Sequence, residues 1–116
     1  MQERQVDIAI IGAGVVGLAT ALSLAPTGLQ VALFDAQPKP STGPQGTALN
    51  EWDRRGTALT PQSIRFLKSL DAWLLIQESK RIGPYTEMFV WDSEGTGHLH
   101  FTATDLKIES LGTIVE

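Results

Sequence analysis

The stretch Val6-Asp-Ile-Ala-Ile-Ile-Gly-Ala-Gly-Val-Val-Gly-Leu18 decides the fold of this chain. Its first six residues are a short apolar run with β-branched side chains, which is typical of a strand buried on both faces of a parallel sheet. Three glycines follow at the spacing Gly-x-Gly-x-x-Gly and open an apolar segment from Val15 to Ala25, which predicts a helix. Because that segment is apolar almost all round, we expect the helix to be buried rather than to lie at the surface.

A second strand follows the predicted helix and ends in a carboxylate. Pro26-Thr27-Gly28 terminates the helix, and residues 29–35 form another apolar run that ends at Asp35. A strand, a helix and a strand joined this closely connect as a right-handed parallel crossover. The sequence therefore predicts the α/β class, with a Rossmann-type βαβ unit at its start.

The glycine spacing and Asp35 together predict a site for the ADP part of a dinucleotide. The first glycine permits a tight turn, the second lets the backbone approach a pyrophosphate, and the third lets helix and strand pack closely. The positive N-terminal end of the helix favours phosphate. Asp35 suits ribose hydroxyls and would repel a 2′-phosphate. The cofactor-binding residues predicted from this motif are Gly12, Ala13, Gly14, Val15, Val16, Gly17 and Asp35.

Arg55 and two histidines are weaker candidates on chemistry alone. An arginine in a long loop can pair with a pyrophosphate, although such residues are more often simply exposed to solvent. His98 and His100 would share one face of a strand, but neither a cysteine nor an obvious acidic third ligand accompanies them. We therefore predict no metal site, and the sequence identifies no catalytic residue.

Beyond the first unit the sequence predicts a loop, a helix and a hairpin. Residues 36–52 are rich in Pro and Gly, which is typical of a loop. Thr60 and Pro61 begin a helix whose apolar positions recur on one face, namely Ile64, Leu67, Leu70 and Leu74. After Gly83-Pro84, alternation from Met88 to Phe101 predicts a β-hairpin, and Leu111 to Val115 predicts a further strand.

Composition excludes several classes of partner and site. The 116 residues carry a net charge of −4, with scattered basic residues, which argues against binding nucleic acid. The absence of cysteine excludes disulfides and thiolate metal sites. The uncharged run from Ile8 to Phe34 is a poor candidate for a signal peptide or membrane span, because turn residues interrupt it and no positive segment precedes it.

Several stretches make the chain resemble the FAD-dependent aromatic hydroxylases of ubiquinone biosynthesis, which are relatives of p-hydroxybenzoate hydroxylase. The resemblance spans essentially all residues. It depends on residues 7–18, on Asp53-Arg-Arg-Gly-Thr-Ala-Leu-Thr-Pro-Gln-Ser63, on Leu70-Asp-Ala-Trp73, on Pro84-Tyr-Thr-Glu-Met-Phe-Val-Trp-Asp92, and on Leu111-Gly-Thr-Ile-Val-Glu116. The opening motif is shared by many flavoproteins, whereas the later stretches are more specific.

The resemblance implies an activity, its cofactors and a division of the chain. It implies FAD, NAD(P)H as electron donor, O₂, and a small prenylated phenol or quinol as the molecule hydroxylated. Arg55 lies where the family has an FAD-contacting arginine. Residues 1–82 would form the FAD-binding part and residues 83–116 the beginning of a β-rich substrate domain. A cytoplasmic location follows, with the inner-membrane surface and a ubiquinone-biosynthesis complex as candidate sites of association.

Two departures from the family limit what can be carried over. The family commonly has Gly where this chain has Asp71, so we expect a different helix end there. Family members are more than three times as long, so the chain resembles a truncated product that we expect to be inactive alone. An NAD-dependent dehydrogenase and a non-catalytic βαβ binding module remain alternative interpretations of the opening motif.

Overall fold

A computed structural model of the chain describes residues 3–38 and 56–116. These residues belong to two compact units, formed by residues 1–43 and residues 44–116. Helices and strands occur in both units, so the predicted α/β class is confirmed. The predicted loop and Arg55 lie mostly or wholly outside the described residues.

The first unit is the predicted βαβ arrangement. Strand β1 (Ile8–Ile11) is followed by helix α1 (Val15–Leu24), a short 3₁₀ turn and strand β2 (Val31–Phe34). The two strands are parallel, and their register runs from Ile8 opposite Val31 to Ile11 opposite Phe34. Because parallel strands end at the same edge of a sheet, the glycine-rich turn and Asp35 lie at one edge.

The expectation that α1 is buried is wrong for the described residues. None of the helix's ten residues is buried, and its exposed apolar side chains include Val15, Val16, Leu18 and Leu22. The cause is the small size of the sheet in this unit. A pair of strands covers one side of an apolar helix and leaves the rest of its circumference in solvent.

The second unit contains a three-stranded antiparallel sheet. Its strands are β3 (Thr57–Leu59), β4 (Ile82–Tyr85) and β7 (Gly112–Val115), with β7 in the centre. Leu59 lies opposite Thr113, and Pro84 lies opposite the same residue from the other side. Strand β4 lies at the edge of this sheet, next to β7. An edge strand tolerates a proline such as Pro84, because the missing N–H group can face away from the neighbouring strand.

Two helices separate β3 from β4. Helix α2 (Pro61–Ser69) begins where the sequence predicts, because Thr60 Oγ1 accepts a hydrogen bond from the Ser63 N–H at 3.2 Å. Helix α3 (Trp73–Glu78) follows as a separate element. Leu67 of α2 and Trp73 of α3 are buried, and so are Ala103 and Thr113.

The break between α2 and α3 occurs at Asp71. This residue has a left-handed φ of 56°, and the Ala72 N–H donates to the Leu67 carbonyl at 3.0 Å. The Asp71 N–H donates to the Lys68 carbonyl at 3.1 Å, which completes a Schellman motif. The single apolar face predicted through Leu74 is therefore divided between two helices. The expectation of a different helix end at Asp71 is wrong, because the aspartate adopts the left-handed conformation that a glycine cap would have.

Strands β5 (Glu87–Trp91) and β6 (His98–Thr102) form the predicted hairpin. Phe89 lies opposite His100, and their rings stack with centroids 4.0 Å apart. His100 Nε2 also lies 3.4 Å from Glu87 Oε2. Among residues 3–38 and 56–116, no group of three metal-ligating side chains occurs.

The predicted division between residues 82 and 83 falls within β4. Residues from both sides of that position contribute to the sheet around β7. The division concerns cofactor and substrate binding, and it stays a prediction. In the part of the chain that the structure describes, no helix is long and apolar enough to cross a membrane.

Candidate dinucleotide-binding site

The glycine-rich turn begins directly at the end of β1. The Gly12 N–H donates to the Phe34 carbonyl at 2.7 Å, which extends the pairing of the two strands by one bond. Gly12 then adopts a φ of +103°, a conformation that L side chains rarely adopt. A glycine at this position therefore lets the chain leave the sheet and enter α1 at once.

Gly14 leaves the N-terminus of α1 open. It occupies the N-cap position without a capping side chain, and the Leu18 N–H makes the first intrahelical bond, to the Gly14 carbonyl at 2.9 Å. The N–H groups of the preceding helical residues, Val15, Val16 and Gly17, have no intrahelical acceptor. A Cβ built on Gly14 meets nothing within 4 Å. An anion can approach these donors at the positive end of the helix dipole.

Gly17 allows α1 to lie against the turn. A Cβ at this position would lie 1.9 Å from the Gly12 carbonyl oxygen and 3.5 Å from Ile10 Cγ2. No side chain larger than hydrogen fits there without moving the backbone. The three glycines thus perform three different tasks: a positive φ, an open approach and a close contact.

Asp35 lies at the carboxyl end of β2 and contacts the glycine-rich turn. Its Oδ2 accepts a hydrogen bond from the Ala13 N–H at 2.6 Å, and its Oδ1 accepts one from the Gln37 N–H at 2.7 Å. These bonds, led by the one from Ala13, hold the pKa of Asp35 below its ordinary value of 3.8. Sequence spacing predicts the proximity of Asp35 and the turn, but it did not reveal the bond to Ala13.

The structure brings the described candidates together in one place. Gly12 to Gly17 and Asp35 share the carboxyl edge of the two parallel strands. The remaining candidate, Arg55, lies outside the described residues. A cavity of about 950 Å³ in the same unit is lined by β2 and by the segment from Arg4 to Val6 rather than by the glycine-rich turn. The candidate site is the turn, where open N–H donors and a carboxylate coincide.

Comparison with known proteins identifies the family. A family model described as FAD dependent oxidoreductase matches residues 7–105. The chain belongs to this family. Its glycine-rich turn fits the cofactor, since the space next to Gly14 is open to a phosphate and Asp35 offers acceptors for hydroxyl groups. The match favours FAD over the alternative of an NAD-dependent dehydrogenase.

Curated relatives include two proteins with names from ubiquinone metabolism. The chain is 37% identical over 117 residues to the 3-demethoxyubiquinol 3-hydroxylase of Escherichia coli, covering 100% of this chain and 28% of the relative. It is 31% identical over 119 residues to the mitochondrial ubiquinone biosynthesis monooxygenase of Dictyostelium discoideum, covering 95% and 24%. It therefore spans about a quarter of the length of these relatives. The resemblance drawn from the sequence is confirmed.

A third relative acts on a different named compound. The kynurenine 3-monooxygenase of Debaryomyces hansenii is 33% identical over 91 residues, which cover 77% of this chain and 18% of the relative. All three relatives are named as hydroxylases or monooxygenases.

Proposed function

We propose that this chain is the FAD-binding part of a flavin-dependent monooxygenase that hydroxylates a polyprenylated phenol or quinol in ubiquinone biosynthesis. NAD(P)H is the proposed electron donor, and O₂ the source of the oxygen atom. The single observation that supports this best is the 37% identity to a 3-demethoxyubiquinol 3-hydroxylase over the whole chain. The open helix N-terminus beside Asp35 supplies the matching geometry.

The residues of the first unit hold the ADP part of the cofactor. The N–H groups of Val15 and Val16 donate to the pyrophosphate, and Gly14 gives it access to them. Asp35 accepts hydrogen bonds from the adenosine ribose, and its charge disfavours a 2′-phosphate. When bound, FAD supplies the redox and oxygen-transfer chemistry. Arg55 is proposed to contact the pyrophosphate, as the resemblance implies.

The second unit is proposed to contribute to the substrate region through residues 83–116. Its hairpin presents large apolar side chains to solvent on both strands, including Phe89, Trp91 and Leu99. Apolar surface of this kind suits contact with other parts of a larger enzyme or with a prenylated substrate. We propose a cytoplasmic enzyme that meets its prenylated substrate at the inner-membrane surface.

The first experiment tests the cofactor. The protein is purified and its bound nucleotide is identified by absorbance and chromatography; we expect FAD. Gly14→Val places a side chain in the open approach and should abolish FAD binding while leaving the unfolding transition unchanged. Gly97→Val is the matched control, because a Cβ there also meets nothing within 4 Å but lies in the hairpin turn. A protein that takes up NAD but no flavin would refute the assignment.

The second experiment tests the reaction. The FAD-loaded full-length protein is incubated with NADPH, O₂ and a prenylated phenol, and the products are analysed by mass spectrometry. We expect a product heavier by one oxygen atom, formed with stoichiometric consumption of NADPH. The 116-residue chain alone should give no such product, because most of a pocket must exclude water for oxygen transfer to succeed. Hydroxylation by the isolated chain would contradict this expectation.

A further inference from the structure

The Asp35 carboxylate ties together the two turns at the carboxyl edge of the first unit. One oxygen holds Ala13 in the glycine-rich turn after β1, and the other holds Gln37 just beyond β2. Hydrogen bonds to an ionised acceptor are roughly twice as strong as those between neutral groups. The carboxylate therefore fixes the turn to β2 through a contact that spans 22 residues of sequence.

The contact with Ala13 also determines which backbone donors remain for a phosphate. Because the Ala13 N–H donates to Asp35, it is not available to a phosphate that approaches beside Gly14. The N–H groups of Val15 and Val16, which have no intrahelical acceptor, remain for an incoming anion. An ionised carboxylate has about four acceptor positions, so these bonds leave room for ribose hydroxyls as well.

We propose that Asp35 is a positioning residue for pyrophosphate binding, because it orders the glycine-rich turn through Ala13 before any cofactor is bound. The inference rests on the proposed FAD site, and it adds a role that is independent of the ribose. The lowered pKa of Asp35 agrees with it, since the two backbone bonds favour the ionised form.

Two ligands separate the positioning role from the ribose contact. ADP carries the ribose hydroxyls, whereas 2′,3′-dideoxy-ADP carries the same pyrophosphate without them. Asp35→Ala should weaken the binding of both ligands, with a loss of about tenfold for the dideoxy compound, as for one charge-assisted hydrogen bond. Loss of a negative charge near an anion would by itself strengthen binding. The expected change in affinity for dideoxy-ADP therefore has the opposite sign to that of a purely electrostatic effect.

Asp7→Ala is the matched control for this variant. Asp7 Oδ2 accepts a hydrogen bond from the Gln30 N–H at 2.8 Å, at the amino edge of the same two strands. The control removes an equal charge and a similar long-range contact, but at the edge of the two strands opposite to the glycine-rich turn. It should leave the affinity for both ligands unchanged. Asp35→Glu, which keeps a carboxylate, should recover part of the lost affinity.

A measurement without ligand tests the ordered turn itself. In the cofactor-free protein, the amide proton shift of Ala13 should titrate with Asp35 at a pH below 3.8 and should change in Asp35→Asn. The bond is present above this titration and is lost as the pH falls through it. An Ala13 amide that ignores Asp35, or dideoxy-ADP binding that is unaffected by Asp35→Ala, would overturn the inference. A wild-type protein that binds neither ligand would instead overturn the proposed function, and the amide shift would then still decide whether Asp35 orders the turn.

Discussion

Replacing Gly17 by alanine should destabilise the first unit, because the added methyl group meets backbone rather than a movable side chain. The new Cβ would lie 1.9 Å from the Gly12 carbonyl oxygen. A comfortable carbon–oxygen contact is roughly 3.3 Å, so α1 and the turn must separate by about 1.4 Å. The helix cannot relieve this by a rotamer change.

The magnitude follows from two opposing effects. Overpacking of this kind costs about 1–3 kcal/mol, and a backbone clash belongs at the upper end. Alanine regains about 1 kcal/mol through its higher helix propensity. The free energy of unfolding should therefore fall by about 2 kcal/mol, and Tm by about 10 °C for a unit of this size.

Urea unfolding monitored by circular dichroism measures the change, with Gly14→Ala as the matched variant. Both variants add one methyl group to the same motif, but the Cβ at Gly14 meets nothing within 4 Å. Gly14→Ala should unfold near the wild-type midpoint and lose affinity for FAD, whereas Gly17→Ala should lose stability. Equal midpoints for Gly17→Ala and wild type would refute the packing argument.

Two further predictions concern the second unit. Asp71→Gly should raise the free energy of unfolding of this unit by about 1 kcal/mol, since glycine adopts the left-handed φ of 56° without the Cβ penalty. The control is Ser69→Gly in α2, which should lower the free energy of unfolding. An Asp71→Gly protein that is less stable than wild type would show that the aspartate is favoured there. Thr60→Ala should lower the free energy of unfolding by about 1 kcal/mol through loss of the bond from the Ser63 N–H, and Thr60→Ser should retain most of it. Denaturant titration measures the unfolding midpoints of Thr60→Ala and Thr60→Ser. A midpoint of Thr60→Ala identical to that of the wild type would exclude a capping role for Thr60.

The sequence predicted the elements whose signals are local. The βαβ unit follows from consecutive patterns between Val6 and Asp35, and the start of α2 follows from Thr60 and Pro61. The hairpin was predicted from the alternation of side-chain types in the two segments that flank a stretch of turn residues. In each case the residues that specify the element also lie within it.

The features that were missed depend on distant partners. Strand β3 has only three residues, and it pairs with β7, which lies far along the chain. Gly83-Pro84 reads as a break, yet it belongs to an edge strand that β7 completes. A helix end at Asp71 was expected but not its left-handed conformation, because the propensity of a non-glycine residue disfavours it. At the candidate site, the glycine positions and Asp35 were predicted, but the bond between Asp35 and Ala13 is a property of three-dimensional geometry.

The central place of β7 has a consequence for synthesis on the ribosome. About fifty residues separate Leu59 of β3 from Gly112 of β7, and β4 also precedes β7. At roughly 5–20 residues per second, β3 therefore waits several seconds for the strand that joins it to β4. During that interval two strands present unpaired backbone edges, which are templates for association with other chains. The sheet closes only after the segment around Thr113 has left the exit tunnel, so this unit folds late, and its yield in the cell should depend on chaperones that shield nascent strands.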